Sequence, residues 1–241
     1  MTARPRDAST VMILRPPQEG DSFEVLLLLR HPSHKFVPSH YVFPGGAVEE
    51  EDADPRLLAR CRGENGEPFA GEIPGARSPE GSLAFWAAAV RETFEEAGVL
   101  FAADDRGNFP DPAQRAHLFI DLRGRLLRSE ISFRELLEQE ELFIPCHRLR
   151  FISRWITPAF LPIRYDARFF AALLPAGQEA SPDGGEHTDG RWLSPSGALA
   201  ENRRGRLDLV LPTLMTLEEA GRYAGAEEAW KGFAASGYRE G

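Results

Sequence analysis

The stretch Arg91-Glu92-Thr93-Phe94-Glu95-Glu96-Ala97-Gly98-Val99 decides how this chain is interpreted. Apolar residues upstream and within it recur at spacings of three and four, which predicts a helix with one apolar stripe. Gly98 follows the last stripe residue and is typical of a helix C-terminus. The stripe consists of Leu83, Trp86, Ala87, Val90, Phe94 and Ala97.

The other face of this helix carries Arg91, Glu92, Glu95 and Glu96. Residues three and four apart are neighbours on a helix surface, so Glu92 lies beside both Glu95 and Glu96. One arginine does not neutralise three carboxylates, and hard oxygen ligands suit Mg²⁺ or Mn²⁺. The alternative is a solvated charged face that binds no metal.

Upstream, Phe43-Pro44-Gly45-Gly46-Ala47 predicts a strand that ends in a glycine turn. With this turn, the pattern Arg-Glu-x-x-Glu-Glu-x-Gly-Val resembles the signature of the Nudix hydrolases. That signature reads Gly, five residues, Glu, seven residues, then Arg-Glu-apolar-x-Glu-Glu-x-Gly-apolar. Gly46 matches its first glycine, and Thr93 stands where an aliphatic residue is usual.

The signature is interrupted in this chain by about 31 extra residues between Gly46 and Arg91. Leu83 occupies the position eight residues before Arg91, where the family has its middle glutamate, and Glu80 is the nearest acidic residue. An interrupted signature resembles the Nudix branch that contains peroxisomal-type coenzyme A diphosphatases. That resemblance extends over 153–158, 164–170 and 191–195, although Leu27–Arg30 matches the coenzyme A motif of the family only at its start.

The resemblance implies roles for individual residues. Glu92, Glu95, Glu96 and the backbone of Gly46 would hold Mg²⁺ or Mn²⁺, and Arg91 would orient the glutamates. A further carboxylate, as metal ligand or general base, is expected from the loop 175–190, with Glu186 the first choice and Asp189 the second. The expected substrate-binding residues are Arg30, Lys35, Gly45 and Gly46.

The function that follows is a divalent-metal-dependent hydrolase that cleaves the diphosphate linkage between a nucleoside diphosphate and another moiety. A narrower alternative is a coenzyme A or acyl-coenzyme A diphosphatase. Two alternatives of other classes are a catalytically silent Nudix module that binds or regulates, and an interaction protein whose acidic helix binds a basic partner.

Composition limits the class of partner. The net charge is −9, from 37 acidic and 28 basic residues, which argues against a general nucleic-acid binder. No apolar run reaches the length of a membrane span. Two cysteines form neither a zinc pattern nor a disulfide framework, which favours a reducing, cytoplasmic location. A small-molecule substrate and a possible homodimer are expected.

The predicted fold is α/β, a Nudix-type α/β/α sandwich with a mixed sheet and extra helices from two insertions. One domain is expected over 1–241, with a loose tail at 1–8, insertions at 47–80 and 104–145, and C-terminal helices at 212–241. Within the second insertion two helices are predicted, 113–127 and 132–142. The predicted strands are 9–14, 23–29, 41–43, 99–101, 149–156, 165–174 and 192–193.

Overall fold

A computed structural model describes residues 4–18 and 22–235. Its centre is a mixed sheet with the order β3-β2-β1-β8-β7, to which β4 adds at β1 and β9 at β2. β1 and β8 run parallel over nine residue pairs, and the other pairs in this sheet are antiparallel. The strands are β1 (Arg6–Arg15), β2 (Glu24–Arg30), β3 (Tyr41–Val42), β4 (Gly45–Ala47), β5 (Cys61–Arg62), β6 (Ile144–Pro145), β7 (Arg150–Ile156), β8 (Tyr165–Leu173) and β9 (His187–Leu193).

Helices cover both faces of the sheet. The side chains of β1 alternate: Val11 and Ile13 pack in a core with α2, whereas Met12 and Leu14 pack in a second core with α6 and α7. The predicted α/β/α sandwich with a mixed sheet is therefore confirmed. The helices are α1 (Pro55–Leu58), α2 (Pro79–Ala97), α3 (Arg123–Leu127), α4 (Phe133–Gln139), α5 (Pro195–Arg203), α6 (Leu211–Ala220) and α7 (Ala226–Ala235).

The long helix α2 is the one that carries the acidic stretch. It begins at Pro79, because the Ser78 hydroxyl accepts a hydrogen bond from the Gly81 amide and Pro79 occupies the first turn. It ends at Gly98, whose left-handed backbone (φ 68°) is the expected glycine termination. Both helix boundaries thus follow from local sequence.

The two insertions pack against each other. β5, from the first, pairs in parallel with β6, from the second. The Arg60 guanidinium donates to the Leu142 carbonyl at 2.8 Å, and Arg134 lies 3.3 Å from the Asp54 carboxylate. Neither insertion is a free lid, since each supplies the other's backbone partner.

Two sequence predictions of secondary structure are wrong. The tail predicted at 1–8 overlaps β1, which begins at Arg6 because its first residues pair with Tyr165 and Asp166 of β8; 1–3 lie outside the described residues. Val99–Phe101 is not a strand. The Gln178 side chain satisfies the backbone of Leu100, accepting from its amide at 2.8 Å and donating to its carbonyl at 3.1 Å, so no neighbouring strand is needed.

The second insertion is also less helical than predicted. Residues 113–115 are not helical, because the Asp111 carboxylate accepts from the Ala113 amide in a turn. The helical segment begins at Ala116 and contains a π-helical stretch at Leu118–Leu122 before α3. The predicted helix 132–142 is the shorter α4, whose capping box between Ser132 and Glu135 is present. The C-terminal helices predicted at 212–241 are α6 and α7, with 236–241 outside the described residues.

Phe170 tests the packing of the central sheet. It is fully buried on β8 and contacts the rings of Trp86 and Phe151, with centroids at 5.4 and 6.0 Å. We predict that Phe170→Ala lowers the free energy of unfolding by about 3–5 kcal/mol, through lost burial and the cavity left behind. Phe160→Ala, at a side chain 85% exposed, is the control and should change it by less than about 0.5 kcal/mol in denaturant titration.

Candidate active site

The three glutamates of α2 are not a solvated face. The side chains of Glu92, Glu95 and Glu96 are 13%, 20% and 8% exposed, respectively. A helix face that served only solubility would leave its carboxylates in water, because burying a charge is costly without compensation. The solvated-face alternative is therefore wrong.

The glycine turn approaches these carboxylates closely. The Gly45 amide donates a hydrogen bond of 2.7 Å to Glu96 Oε2. A Cβ atom at Gly46 would lie 2.5 Å from Glu92 Oε1, and one at Gly45 would lie 2.2 Å from the Ser9 carbonyl oxygen. A side chain at Gly45 would thus clash with backbone, and one at Gly46 would displace the Glu92 carboxylate, as expected where backbone lies against a functional group.

Arg91 connects the carboxylates to the segment before the insertion. Its guanidinium donates to both oxygens of Asp52 at 2.8 Å, to the Ala47 carbonyl at 3.0 Å, and to Glu92 and Glu95 at 2.9 and 3.0 Å. This is a bidentate arginine–carboxylate pair of the strong type. Arg91 thus contacts two of the three glutamates, Glu92 and Glu95.

Asp52 is the site residue that the sequence analysis did not identify. It is fully buried, and it also accepts the Glu49 amide at 2.9 Å, which fixes its carboxylate. It stands six positions after Gly46, the spacing of the middle glutamate in the Nudix signature. Counting eight positions back from Arg91 reaches Leu83. Counting forward from Gly46 finds Asp52 and puts the whole insertion after it.

Burial changes the acid–base properties of the cluster. Burial raises the pKa of Glu92 to about 7, with Arg91 opposing and Glu95 adding to the shift. Burial, reinforced by the charge of Glu92, raises the pKa of Glu96 well above its ordinary value, and burial also raises that of Glu95. The cluster therefore has less positive charge around it than three ionised carboxylates require.

The loop between β8 and β9 closes the C-terminal end of α2. The Asp183 amide donates to the Glu96 carbonyl at 3.0 Å and the Ser181 amide to Ala97 at 2.7 Å. Arg123, from the second insertion, bridges the Glu95 and Ser181 carbonyls at 2.9 and 2.8 Å. The loop and the insertion together supply partners for backbone carbonyls that a helix end leaves open.

His187 is a second residue that the sequence analysis missed. It is fully buried, and its Nδ1 lies 3.4 Å from Asp183 Oδ1 and 3.8 Å from Glu96 Oε1. The Asp183 carboxylate also accepts the backbone amides of 185, 186 and 187. Burial opposes ionisation of Asp183, but His187 and these amides lower its pKa to about 2. The approach of His187 to Glu96 has no local sequence signal, since these two residues meet only where β9 reaches α2.

The remaining predicted residues fall in different places. Glu186 lines the cavity beside the cluster, and its charge contributes to the raised pKa values of Glu95 and Glu96. Asp189 does not line this cavity: it is on β9, where it accepts from the Tyr41 hydroxyl at 3.0 Å and from Arg191 at 2.9 Å. Arg30 also lines the cavity, whereas Lys35 lines a neighbouring pocket.

The cavity has a volume of about 760 Å³ and two chemically different parts. One end holds the glutamates, Glu186 and Arg30. The rest is mainly apolar and opens between the end of β7 and the start of α6, where Leu161 and Leu211 remain exposed. Other apolar lining residues are Phe36, Val42, Phe43, Trp155, Ile156, Pro158, Ala167, Phe169, Val210 and Pro212. This shape suits an elongated ligand with a polar and an apolar part.

Within the described part of the chain, no three His, Cys, Asp or Glu side chains converge closely enough to form a ready metal site. Arg91 donates to both Glu92 and Glu95, and Gly45 donates to Glu96, so these donor oxygens already have partners. The donor set itself consists of carboxylate oxygens, which are the ligands that Mg²⁺ and Mn²⁺ prefer.

Comparison with known proteins gives a family for this arrangement. The family described as NUDT19 Nudix domain matches residues 5–219. The chain belongs to the Nudix family. The resemblance predicted from the glycine turn and the acidic helix is thereby confirmed, and the match spans both insertions.

Related Nudix proteins extend the comparison. A Nudix hydrolase structure from Alicyclobacillus acidocaldarius is 28% identical, with a TM-score of 0.75 over 95% of this chain and 96% of that one. The acyl-coenzyme A diphosphatase NUDT19 of Homo sapiens is 31% identical over 76% of this chain and 56% of the relative. That of Xenopus laevis is 26% identical over 90% and 65%. The chain thus spans 56–65% of the length of these two relatives.

Breaking the Arg91–Asp52 pair is expected to lower the stability of the fold strongly. We expect Asp52→Asn to lower the free energy of unfolding by about 3 kcal/mol, because it removes the charge that compensates a buried arginine. Asp105→Asn, at an exposed turn position, is the matched control and should be within about 0.5 kcal/mol of the parent. Urea titration of both variants measures the difference, and equal stabilities would contradict a structural role for the pair.

Proposed function

We propose that this Nudix protein is a hydrolase that cleaves the diphosphate linkage of a nucleoside diphosphate bound to another moiety. The observation that carries the proposal is the group of three largely buried carboxylates against the Gly45–Gly46 backbone at the polar end of a cavity. A silent binding module would have no reason to keep three glutamates at such a cost in burial.

The residues present fit the divalent cation that the family implies. Glu92, Glu95, Glu96 and the backbone at Gly46 would hold it, and their raised carboxyl pKa values reflect a cluster short of positive charge. A bound Mg²⁺ or Mn²⁺ would supply charge that polarises the diphosphate and lowers the pKa of the attacking water.

The protein's own groups position the reactants. Arg91 fixes Glu92 and Glu95 through paired hydrogen bonds, so their oxygens stay on the cavity side of α2. Arg30 lies among the cavity residues, where its charge acts on Glu96 and suits a contact to a phosphate oxygen. Glu186, 68% exposed at the same end, would accept a proton from the attacking water, and its position in the cavity lining supports this role.

We infer coenzyme A or an acyl-coenzyme A as the substrate. The relatives named above are called acyl-coenzyme A diphosphatases. The apolar part of the cavity and its exposed rim at Ile156, Leu161 and Leu211 suit a long, partly apolar arm attached to the diphosphate. The same features leave an acyl chain room to extend past the mouth of the cavity.

The first test is a substrate panel with Glu95→Gln. Cleavage of coenzyme A, acyl-coenzyme A, ADP-ribose, NADH and dinucleoside polyphosphates is measured with Mg²⁺, with Mn²⁺ and with EDTA. We expect metal-dependent release of adenosine 3′,5′-bisphosphate from coenzyme A or its acyl form. Glu95→Gln should lower kcat by at least about 100-fold, since it removes a charged group from the cluster.

Glu64→Gln, in an exposed turn of the first insertion, is the control and should retain activity. If the protein cleaves another member of the panel but not coenzyme A or its acyl form, the substrate assignment is overturned and the hydrolase proposal stands. If a folded protein binds Mn²⁺ and cleaves nothing on the panel, the silent module replaces the hydrolase.

Gly46→Ala tests the close approach of backbone and carboxylate. The added methyl would lie 2.5 Å from Glu92 Oε1 and displace that carboxylate. We expect Mn²⁺ affinity, measured by calorimetry, to fall by about tenfold or more, which corresponds to about 1.4 kcal/mol. Gly225→Ala, where nothing lies within 4 Å of the new methyl, should bind Mn²⁺ like the parent. Unchanged affinity in Gly46→Ala would contradict a ligand role for Glu92.

We make three further proposals, on cellular location, domain number and oligomeric state. We place the protein in the cytoplasm, supported by two free, buried cysteines, Cys61 and Cys146. No helix in the described residues has both the length and the apolarity needed to cross a membrane. We also propose a single domain, supported by the pairing of β5 with β6, and a homodimer, supported only by its frequency in the family.

A further inference from the structure

A second pocket, of about 660 Å³, lies beside the cavity of the glutamates. The two share a wall formed by His34, Phe36, Tyr165 and Glu186, with Arg6 at the edge. In that wall His34 Nε2 lies 3.8 Å from Glu186 Oε2, and the Phe36 and Tyr165 rings meet at 5.0 Å. A ligand anchored at the glutamates therefore needs to pass only this wall to reach the second pocket.

The second pocket is basic in an acidic protein. Its described lining includes Arg4, Arg6, Lys35 and Arg164, together with two histidines, whereas Glu186 is the single carboxylate among those residues. The net charge of the chain is −9, so this concentration of cations runs against the overall composition. A concave surface lined by one sign of charge attracts ligands of the opposite sign.

Two of these cations are available to a ligand. Arg6 pairs with Glu49 at 2.9 Å, and Arg164 donates to the Thr157 carbonyl at 3.0 Å. Among the described residues, by contrast, neither Arg4 nor Lys35 has an ion pair or a side-chain hydrogen bond. Lys35 is exposed at the pocket, on the loop between β2 and β3.

The loop that carries Lys35 is held in place at both ends. The Arg30 amide donates to the His40 carbonyl at 3.0 Å, and the His31 amide donates to Glu186 at 2.8 Å. Val37 has a left-handed backbone (φ 52°), which is unusual for a β-branched residue and marks strain of the kind found at binding sites. The basic side chains are thus presented on a closed loop with defined ends.

We propose that this pocket binds a second phosphate group of the substrate, a phosphomonoester on the nucleoside side of the diphosphate. The inference rests on the proposed function, which places the diphosphate at the glutamates. Lys35 and Arg4 supply the charge for this group, and Arg164 and Arg6 line the pocket around it. The substrate class is then a nucleoside diphosphate derivative with an additional phosphate on its ribose, of which coenzyme A is one.

The first experiment compares coenzyme A with 3′-dephospho-coenzyme A. We expect KM to be about tenfold lower for coenzyme A, the scale of one charge-assisted hydrogen bond. Lys35→Ala should bring the ratio of the two KM values close to 1, with Arg4→Ala reducing it as well. Lys231→Ala is the matched control: Lys35 and Lys231 are the only lysines of the chain, and Lys231 lies exposed on α7. That control should keep the parent ratio.

A binding measurement separates this inference from the hydrolase. Calorimetry compares adenosine 3′,5′-bisphosphate with AMP and with inorganic phosphate, for the parent, Lys35→Ala and Lys231→Ala. We expect the bisphosphate to bind about tenfold tighter than AMP, and this difference to disappear in Lys35→Ala only. If inorganic phosphate binds as tightly as the bisphosphate, the pocket is a general anion site, and the proposed ribose-phosphate subsite is overturned.

Each outcome has a distinct meaning. Equal KM values for both substrates in an active parent overturn the subsite and leave the hydrolase standing. If the protein turns over no substrate but binds the bisphosphate in a way that depends on Lys35, the hydrolase proposal is overturned and the subsite is supported. Equal binding of bisphosphate and AMP in a folded parent overturns the subsite whether or not the protein is active.

Discussion

The structure depends on one buried arginine. Arg91 joins three parts of the chain: the end of β4 through the Ala47 carbonyl, the 3₁₀-helical turn Glu50–Ala53 through Asp52, and α2 through Glu92 and Glu95. Burial alone would lower the pKa of Arg91, but Asp52 and the neighbouring carboxylates outweigh it and raise the pKa. Each partner is therefore needed, because an unpaired buried guanidinium would be costly.

This pair explains why a long insertion does not disrupt the site. The ion pair between Asp52 and Arg91 holds the two halves of the signature together, although residues 53–90 separate them in sequence. The entropy cost of closing a loop grows only slowly with its length, so extra residues between two fixed ends add little to that cost. The first insertion then gains contacts of its own, through β5 and the aromatic pair Phe69–Trp86.

The surface around the site is divided by charge. Carboxylates occupy the centre, cations occupy the adjacent pocket, and apolar side chains form the mouth. Elements distant in sequence contribute to all three: β2 supplies Arg30, the loop before β9 supplies Glu186, and α6 begins at the apolar rim with Leu211. The second insertion contributes Arg123, which closes the end of α2, and Leu127, which lines the cavity.

The sequence by itself determined the parts that depend on local pattern. The stripe from Leu83 to Ala97 specified α2, Gly98 specified its end, and the spacing of Glu92, Glu95 and Glu96 put three carboxylates on one face, since a helix repeats every 3.6 residues. The family followed from these residues and the glycine turn. Even Asp52 can be identified from the sequence, because it lies at the signature spacing after Gly46.

Only the tertiary structure decided which distant residues meet. His187 and Asp183 reach Glu96, Gln178 replaces a strand partner for Leu100, and Lys35 lines a pocket with Arg4 and Arg164 instead of the cavity of the glutamates. These contacts join residues up to well over 100 positions apart. Local sequence does not predict these contacts, because they depend on the strand order and on which buried polar groups pair in the folded chain.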